Sequence, residues 1–249
     1  MSVLIKHDLA TRRLYATDAS VYEEFPESVA FPENSDDCIA LVKVASKNKT
    51  PLIFRAAGTS IAGQCVGGGQ VVDVSRFLTS ILGKPQGHTI RVQPGVIHSD
   101  LDLFLKPFNL KFAPEISTSN RCMIGGMIGN NAAGSHSVVY GTTREHVVGI
   151  EGLLSDGSVV EFGPMTDDEL SNKCRLKTLE GGVYRTVTGV INQHRGQILK
   201  RYPKPEIIRR NTGYPLDVLA KGQPWVKSGP LFNLAPFLCG SEGTLAFTL

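Results

Sequence analysis

Apolar residues along the chain recur at two different periods, and the alternation between them outlines the fold. Residues 1–30 are polar and mixed and read as an arm or linker, with an N-terminal arm at 1–20 and one folded unit at 21–249. From Ser35, a plausible N-cap, Cys38, Leu41, Val42 and Ala45 recur at helical spacing. The short run Pro51 to Phe54 has strand character, as does Val71 to Val74 after Gly67-Gly68-Gly69. Thr89 to Gln93 predicts a strand closed by Pro94-Gly95, and Ser99 to Leu105 a short helix stopped before Pro107.

Beyond these, Val147 to Leu154, the turn Asp156-Gly157 and Val159 to Phe162 predict a hairpin. The longest helical pattern spans Gly182 to Arg201, with Val183, Val187, Val190, Ile191 and His194 on one face and Tyr202-Pro203 ending it. A final apolar strand, Leu245 to Leu249, runs to the last residue, which predicts truncation from a longer protein. Strands and helices alternate loosely with hairpins among them, so the expected class is α+β rather than a doubly wound sheet.

Composition narrows the functional classes. The 249 residues supply a sizeable core, and 26 basic against 23 acidic side chains leave a net charge of +3, too mild to imply a nucleic-acid partner. The five cysteines (Cys38, Cys65, Cys122, Cys174, Cys239) are scattered without a C-x-x-C pair, which supports neither a zinc nor an iron–sulfur site in this chain and suits a reducing cytoplasm. No stretch has the length and apolarity of a signal peptide or a transmembrane span.

Several standard chemistries are missing from the pattern. There is no G-x-G-x-x-G after a strand, no G-x-x-x-x-G-K-[ST] and no H-E-x-x-H, and no serine sits in G-x-S-x-G. What remains is three loops of small residues. The first is Arg55-Ala56-Ala57-Gly58-Thr59-Ser60 through Gln64. The second opens with Pro114-Glu115-Ile116-Ser117 and continues through Gly125-Gly126-Met127, Asn130-Asn131-Ala132 and Gly134-Ser135 to Tyr140-Gly141. The third is Gly240-Ser241-Glu242-Gly243-Thr244-Leu245. Small side chains let a backbone approach a ligand, and successive N–H groups in such turns converge on anions. Three such loops flanked by strand-like runs predict a long ligand lying between two lobes.

Taken in this order, the three loops resemble the FAD-binding domain of the vanillyl-alcohol oxidase and p-cresol methylhydroxylase type. The resemblance spans about residues 20–249 and is strongest to the branch containing D-lactate dehydrogenase, glycolate oxidase and D-2-hydroxyglutarate dehydrogenase. It implies a two-lobed α+β domain. Ala56 to Ser60 would wrap the FAD pyrophosphate, with Gln64 closing the turn. Pro114 to Ser117 and Gly125 to Ser135 would line pyrophosphate, ribitol and isoalloxazine. Tyr140-Gly141 and Ile150 would approach the adenosine half, and Glu242-Gly243-Thr244 would form the far wall. The commoner family turn carries glycine where Ala56 and Ala57 stand, so both must keep φ below zero. Relatives with covalent flavin have histidine at the position of Thr59, so its absence implies dissociable FAD; Cys122 is a less usual linkage candidate.

The same resemblance implies oxidation of a small 2-hydroxy acid by hydride transfer to flavin N5 in a cytoplasmic enzyme, with peripheral membrane association open for the full protein. Arg209-Arg210-Asn211-Thr212-Gly213-Tyr214 resembles a substrate-side stretch, with Arg209, Thr212 and Tyr214 as candidate substrate contacts. Thr17-Asp18-Ala19-Ser20-Val21-Tyr22 is similar to large members with a C-terminal iron–sulfur part, which would lie after Leu249 together with the substrate domain and the catalytic set. Two alternatives stay open: a synthase of the same fold that uses FAD without net redox change, and a nucleotide-binding module without redox chemistry.

Overall fold

A parallel strand pair buried on both faces organises the first lobe of the chain, seen in a computed structural model that describes residues 3–204, 206–207, 209–210 and 213–249. Strand β1 (Leu4–Lys6) leads to helix α1 (Leu9–Tyr15) and strand β2 (Ser28–Phe31), which is buried along its whole length. Helix α2 (Ser35–Asn48), strand β3 (Leu52–Arg55) and strand β4 (Gln70–Asp73) complete a sheet of order β1-β2-β4-β3. β1 pairs antiparallel with β2, while β2 and β3 flank β4 in parallel. Continuous apolar runs such as Val29-Ala30-Phe31 and Val71-Val72 suit strands covered on both faces.

The N-terminal residues therefore differ from the expected arm: they supply an edge strand, a helix and a central strand. Their pattern lacks alternation because β2 has no solvent face. α2 buries Cys38, Leu41, Val42 and Ala45 as its spacing predicts, but its N-cap is Asn34, whose side chain accepts from Asp37 N at 3.0 Å.

The second lobe holds the hairpin β5 (Ile81–Gln86) and β6 (Thr89–Val92), helix α3 (His98–Leu105) with a 3-10 turn through Pro107, and helix α4 (Ile124–Asn130). The short helix α5 (Ser137–Tyr140) precedes the predicted hairpin, formed by β7 (Ile150–Leu153) and β8 (Val159–Phe162), with Gly157 at φ 82° in its turn. Strand β9 (Phe247–Thr248) pairs antiparallel with β7. Helices α6 (Asp167–Arg175), α7 (Leu179–Arg201), α8 (Leu216–Ala220) and α9 (Ala235–Leu238) pack around this sheet.

The predicted face of α7 is buried in part: Ile191 lies in the core and Val183 and Val187 pack against it. Tyr184, Ile191 and Ile198, seven residues apart, enter the core, whereas Val190 and His194 are exposed. Tyr184 turns the buried stripe toward itself by packing between Phe162 and Phe232, with ring centroids 6.4 and 6.2 Å away, while Val183 and Val187 flank it. The four-stranded sheet and the sheet β8-β7-β9 meet where Phe54 of β3 stacks on Phe247 of β9 at 3.7 Å. That contact forms the floor of the candidate site.

Candidate FAD-binding cleft

A cleft of about 630 Å³ runs beside the Phe54–Phe247 contact, and all three small-residue loops contribute to it. From the first loop come Ala56, Ala57, Gly58, Thr59, Ser60 and Gln64; from the second come Ile116, Ser117, Gly125, Gly126, Met127, Asn130 and Ala132; from the third come Glu242 and Gly243.

The first loop leaves β3 directly. Ala56 and Ala57 both lie outside the positive-φ residues, so the alanines fit where family members carry glycine; Gly58 (φ 67°) and Gly63 (φ 77°) make the left-handed turns instead. Among the described residues, no backbone N–H from Ala57 to Ile61 donates to a protein acceptor. Ala57 to Ser60 are half-buried and Ile61 is exposed, and unpaired N–H groups in such a turn can converge on an anion. Arg55 does not reach the cleft: its Nη1 donates to Thr17 O at 2.7 Å and its guanidinium covers the Tyr15 ring at 5.2 Å. The N-terminal segment thus straps the loop from outside, and Ala19 N adds a bond to Gly58 O at 3.1 Å.

The second loop divides into a lining part and a buttress. α4 presents Gly126 toward Ala56, while Gly125 packs against Pro94. Pro114 is buried behind the cleft, and Glu115 turns outward to His136 Nδ1 at 2.9 Å. Asn131, at φ 47°, caps α4; its buried side chain accepts from Thr142 Oγ1 and from Arg144 N, both at 2.9 Å. Gly134, Ser135, Tyr140 and Gly141 also stand outside the lining; Tyr140 is half exposed, and Gly141 turns the chain at φ 80°. Ile150 is 3% exposed within the core of the second lobe.

The third loop grips the end of α4. Gly240 N donates to Ile128 O and Glu242 N to Gly129 O, both at 2.9 Å, satisfying carbonyls a helix end leaves open. Glu242 (φ 51°) lies between Gly240 (φ 91°) and Gly243 (φ 78°), and its carboxylate accepts from Gln64 Nε2 at 3.2 Å, joining the first and third loops. Thr244 faces away, donating to Ser241 O at 2.6 Å with the Tyr214 hydroxyl 2.7 Å from its Oγ1.

Among the described residues, neither Arg209 nor Tyr214 lines the cleft. Arg209 is exposed, Tyr214 stacks on Phe237 at 5.3 Å, and Thr212 lies outside the described residues. The neighbouring Arg210 donates to the buried Asp217 carboxylate at 2.6 Å.

Residues that the loop pattern missed include Leu52, Phe54, Cys65, Pro94 and Phe247, while Cys122, considered above as a linkage candidate, also lines the cleft. Leu52 and Phe54 alternate on one strand, a signal the sequence carries; the approach of Pro94 and Phe247 is tertiary. Burial pushes the Cys65 and Cys122 thiols up to about 11. Glu242 is the one charged side chain among the described lining residues, so the walls offer backbone dipoles and apolar surface rather than cations.

Comparison with known proteins agrees with this geometry. Residues 26–163 match the family model described as FAD binding domain. D-2-hydroxyglutarate dehydrogenase of Escherichia coli (strain K12) is 37% identical over 242 residues, 96% of this chain and 23% of that protein. The Pantoea ananatis protein of the same name is 36% identical over the same shares. Glycolate oxidase subunit GlcD of Bacillus subtilis (strain 168) is 28% identical over 79% of this chain and 42% of its own length. The chain therefore spans about a quarter of the length of the dehydrogenases it matches. Among solved structures, an alkyldihydroxyacetonephosphate synthase has the same α+β fold, with a TM-score of 0.57 at 17% identity over 63% of this chain and 32% of that one. No helix of the described residues is long and apolar enough to cross a membrane. With the family match covering more than half of the sequence, this chain belongs to the FAD-binding domain family.

Proposed function

We propose that this chain is the FAD-binding part of a flavoprotein oxidoreductase acting on a small 2-hydroxy acid, and that it holds FAD without a covalent bond. The run of unpaired N–H groups from Ala57 to Ile61, facing α4 across the cleft, carries this reading. Those groups, with the Thr59 and Ser60 hydroxyls, would hold the diphosphate. Ile116, Gly126 and Met127 would cover the flat ring system and exclude water from it, which strengthens the polar contacts along the cleft. Thr59 offers no imidazole for a flavin link, and the Cys122 thiol, pushed up to about 11 by burial, stays protonated at neutral pH. Bound FAD supplies the two-electron acceptor for oxidation of the hydroxyl-bearing carbon.

The 2-hydroxy acid assignment rests on the named dehydrogenase and oxidase relatives. Titration of the purified chain with FAD should give saturable quenching of flavin fluorescence; absence of binding would sink the cofactor assignment. Anaerobic addition of D-2-hydroxyglutarate to the flavin-loaded protein should bleach the long-wavelength flavin band, weakly if residues beyond this chain complete the substrate side. Bleaching by neither this acid nor a panel of smaller 2-hydroxy acids in a protein of the relatives' full length, built on this chain, would reject the substrate class.

A further inference from the structure

Arg144 is buried (8% exposed) and has no carboxylate within hydrogen-bonding reach among the described residues. Its guanidinium meets carbonyls instead: Nε donates to Pro236 O at 3.0 Å and Nη2 to Cys239 O at 2.6 Å. Its own N–H donates to Asn131 Oδ1. One side chain therefore ties the cap of α4 to the segment that enters the third loop. Gly240 follows directly; a Cβ there would come within 3.3 Å of both Arg144 Nη2 and Asn131 Cβ.

We infer that Arg144 is a positioning residue for the cofactor: it fixes the third loop so that Ser241, Glu242 and Gly243 form a wall of the cleft. The inference rests on FAD occupying that cleft. A planar fork with two donors aimed at two carbonyls sets the direction of the chain, which a lysine ammonium on the same stem does not do. Without the fork, the segment 235–239 keeps its apolar anchors, Ala235 and Leu238, but loses the contacts that orient Gly240. The bonds from Gly240 N to Ile128 O and Glu242 N to Gly129 O would then open more often.

The test compares wild type with Arg144→Lys and Arg144→Ala, using Arg195→Ala as control. Arg195 makes a similar bond, Nε to Ala220 O at 3.0 Å, away from the cleft lining. FAD affinity should fall at least about tenfold in Arg144→Lys and further in Arg144→Ala, while Arg195→Ala binds as wild type does at a matched distance below its unfolding midpoint. Hydrogen exchange at the Gly240 and Glu242 amides should accelerate in Arg144→Lys with exchange in β4 unchanged, and sub-denaturing guanidinium should restore part of the affinity of Arg144→Ala. If wild type binds no FAD, the cofactor assignment fails and this inference with it. If wild type binds and Arg144→Lys matches it, or Arg195→Ala loses affinity equally, only the role of Arg144 is overturned.

Discussion

A Cβ placed on Gly134 would sit 1.4 Å from the carbonyl oxygen of Glu115. The two stretches of the second small-residue loop thus cross in backbone contact, with Gly134 N further held by Ser137 Oγ at 2.8 Å. Gly134 matters because nothing larger fits, and it stands outside the cleft lining. Gly134→Ala must displace the 113–116 segment and should cost more than about 3 kcal/mol of stability, read from urea unfolding. A loss below about 1 kcal/mol would show that the crossing is loose.

Gly126 presents the opposite case. A Cβ there would meet only Ala56 Cβ, at 3.5 Å, an ordinary contact. In mid-helix, alanine gains roughly 0.5–1 kcal/mol over glycine. Gly126→Ala should therefore leave the urea midpoint unchanged or raised while weakening FAD binding several-fold by narrowing the cleft. Parallel losses of stability and affinity would remove Gly126 from the cofactor surface.

These two glycines mark how far the sequence could be read. The three loops were visible because small residues cluster there whatever their reason, and the structure brings parts of all three to one cleft. Composition could not separate Gly126, which lines the space, from Gly134, which permits a crossing, or Asn131, which caps a helix at φ 47°. Helix α2 and the β7–β8 hairpin were legible because each has one solvent face or a sharp turn. Strand β2 was missed because burial on both faces erases alternation, and the α7 face was legible at Val183, Val187 and Ile191 but not at Val190 and His194, because Tyr184 centres the stripe on Phe162 and Phe232. Helix α6 carries a signal that apolar periodicity passes over: Thr166 and Glu169 form a capping box, the S/T-x-x-E pattern in plain sequence.

The cleft's charge predicts how FAD binding responds to salt. With no lysine or arginine among the described lining residues, the diphosphate would meet N–H dipoles at contact distance. Screening acts mainly on separated charges, so raising sodium chloride from about 0.05 to about 0.5 M should change the FAD dissociation constant by less than about threefold. A tenfold weakening would reveal a cation that this geometry does not place there.

Thr59 leads to a chemical prediction. Acid precipitation of the flavin-loaded protein should release all flavin to the supernatant, since neither Thr59 nor the protonated Cys122 thiol offers a nucleophile for attachment. In-gel flavin fluorescence after denaturation would contradict this. Thr59→His supplies the imidazole found in covalent relatives, and appearance of bound fluorescence in that variant alone would place Thr59 beside the ring.

The buried cysteines contribute to the loss of stability in alkali. Burial pushes Cys65 and Cys122 up to about 11 and Cys38 and Cys239 up to about 12. For an acid whose folded-state pKa is raised, the folded state retains protons that the unfolded state has lost. The stabilisation is complete below the unfolded value, near 8.5–9, and is lost as pH rises through the folded value. Unfolding free energy should thus decline from about pH 9 to pH 11, by on the order of 2 kcal/mol for each thiol like Cys122. Cys122→Ala should flatten that slope, whatever it does to stability at pH 7. The same burial orders reactivity: at pH 8 a maleimide should label the partly exposed Cys174 first, and bound FAD should slow Cys65 and Cys122 further without protecting Cys174. Protection of Cys174 by FAD, or a slope unchanged by Cys122→Ala, would contradict the placement of these thiols.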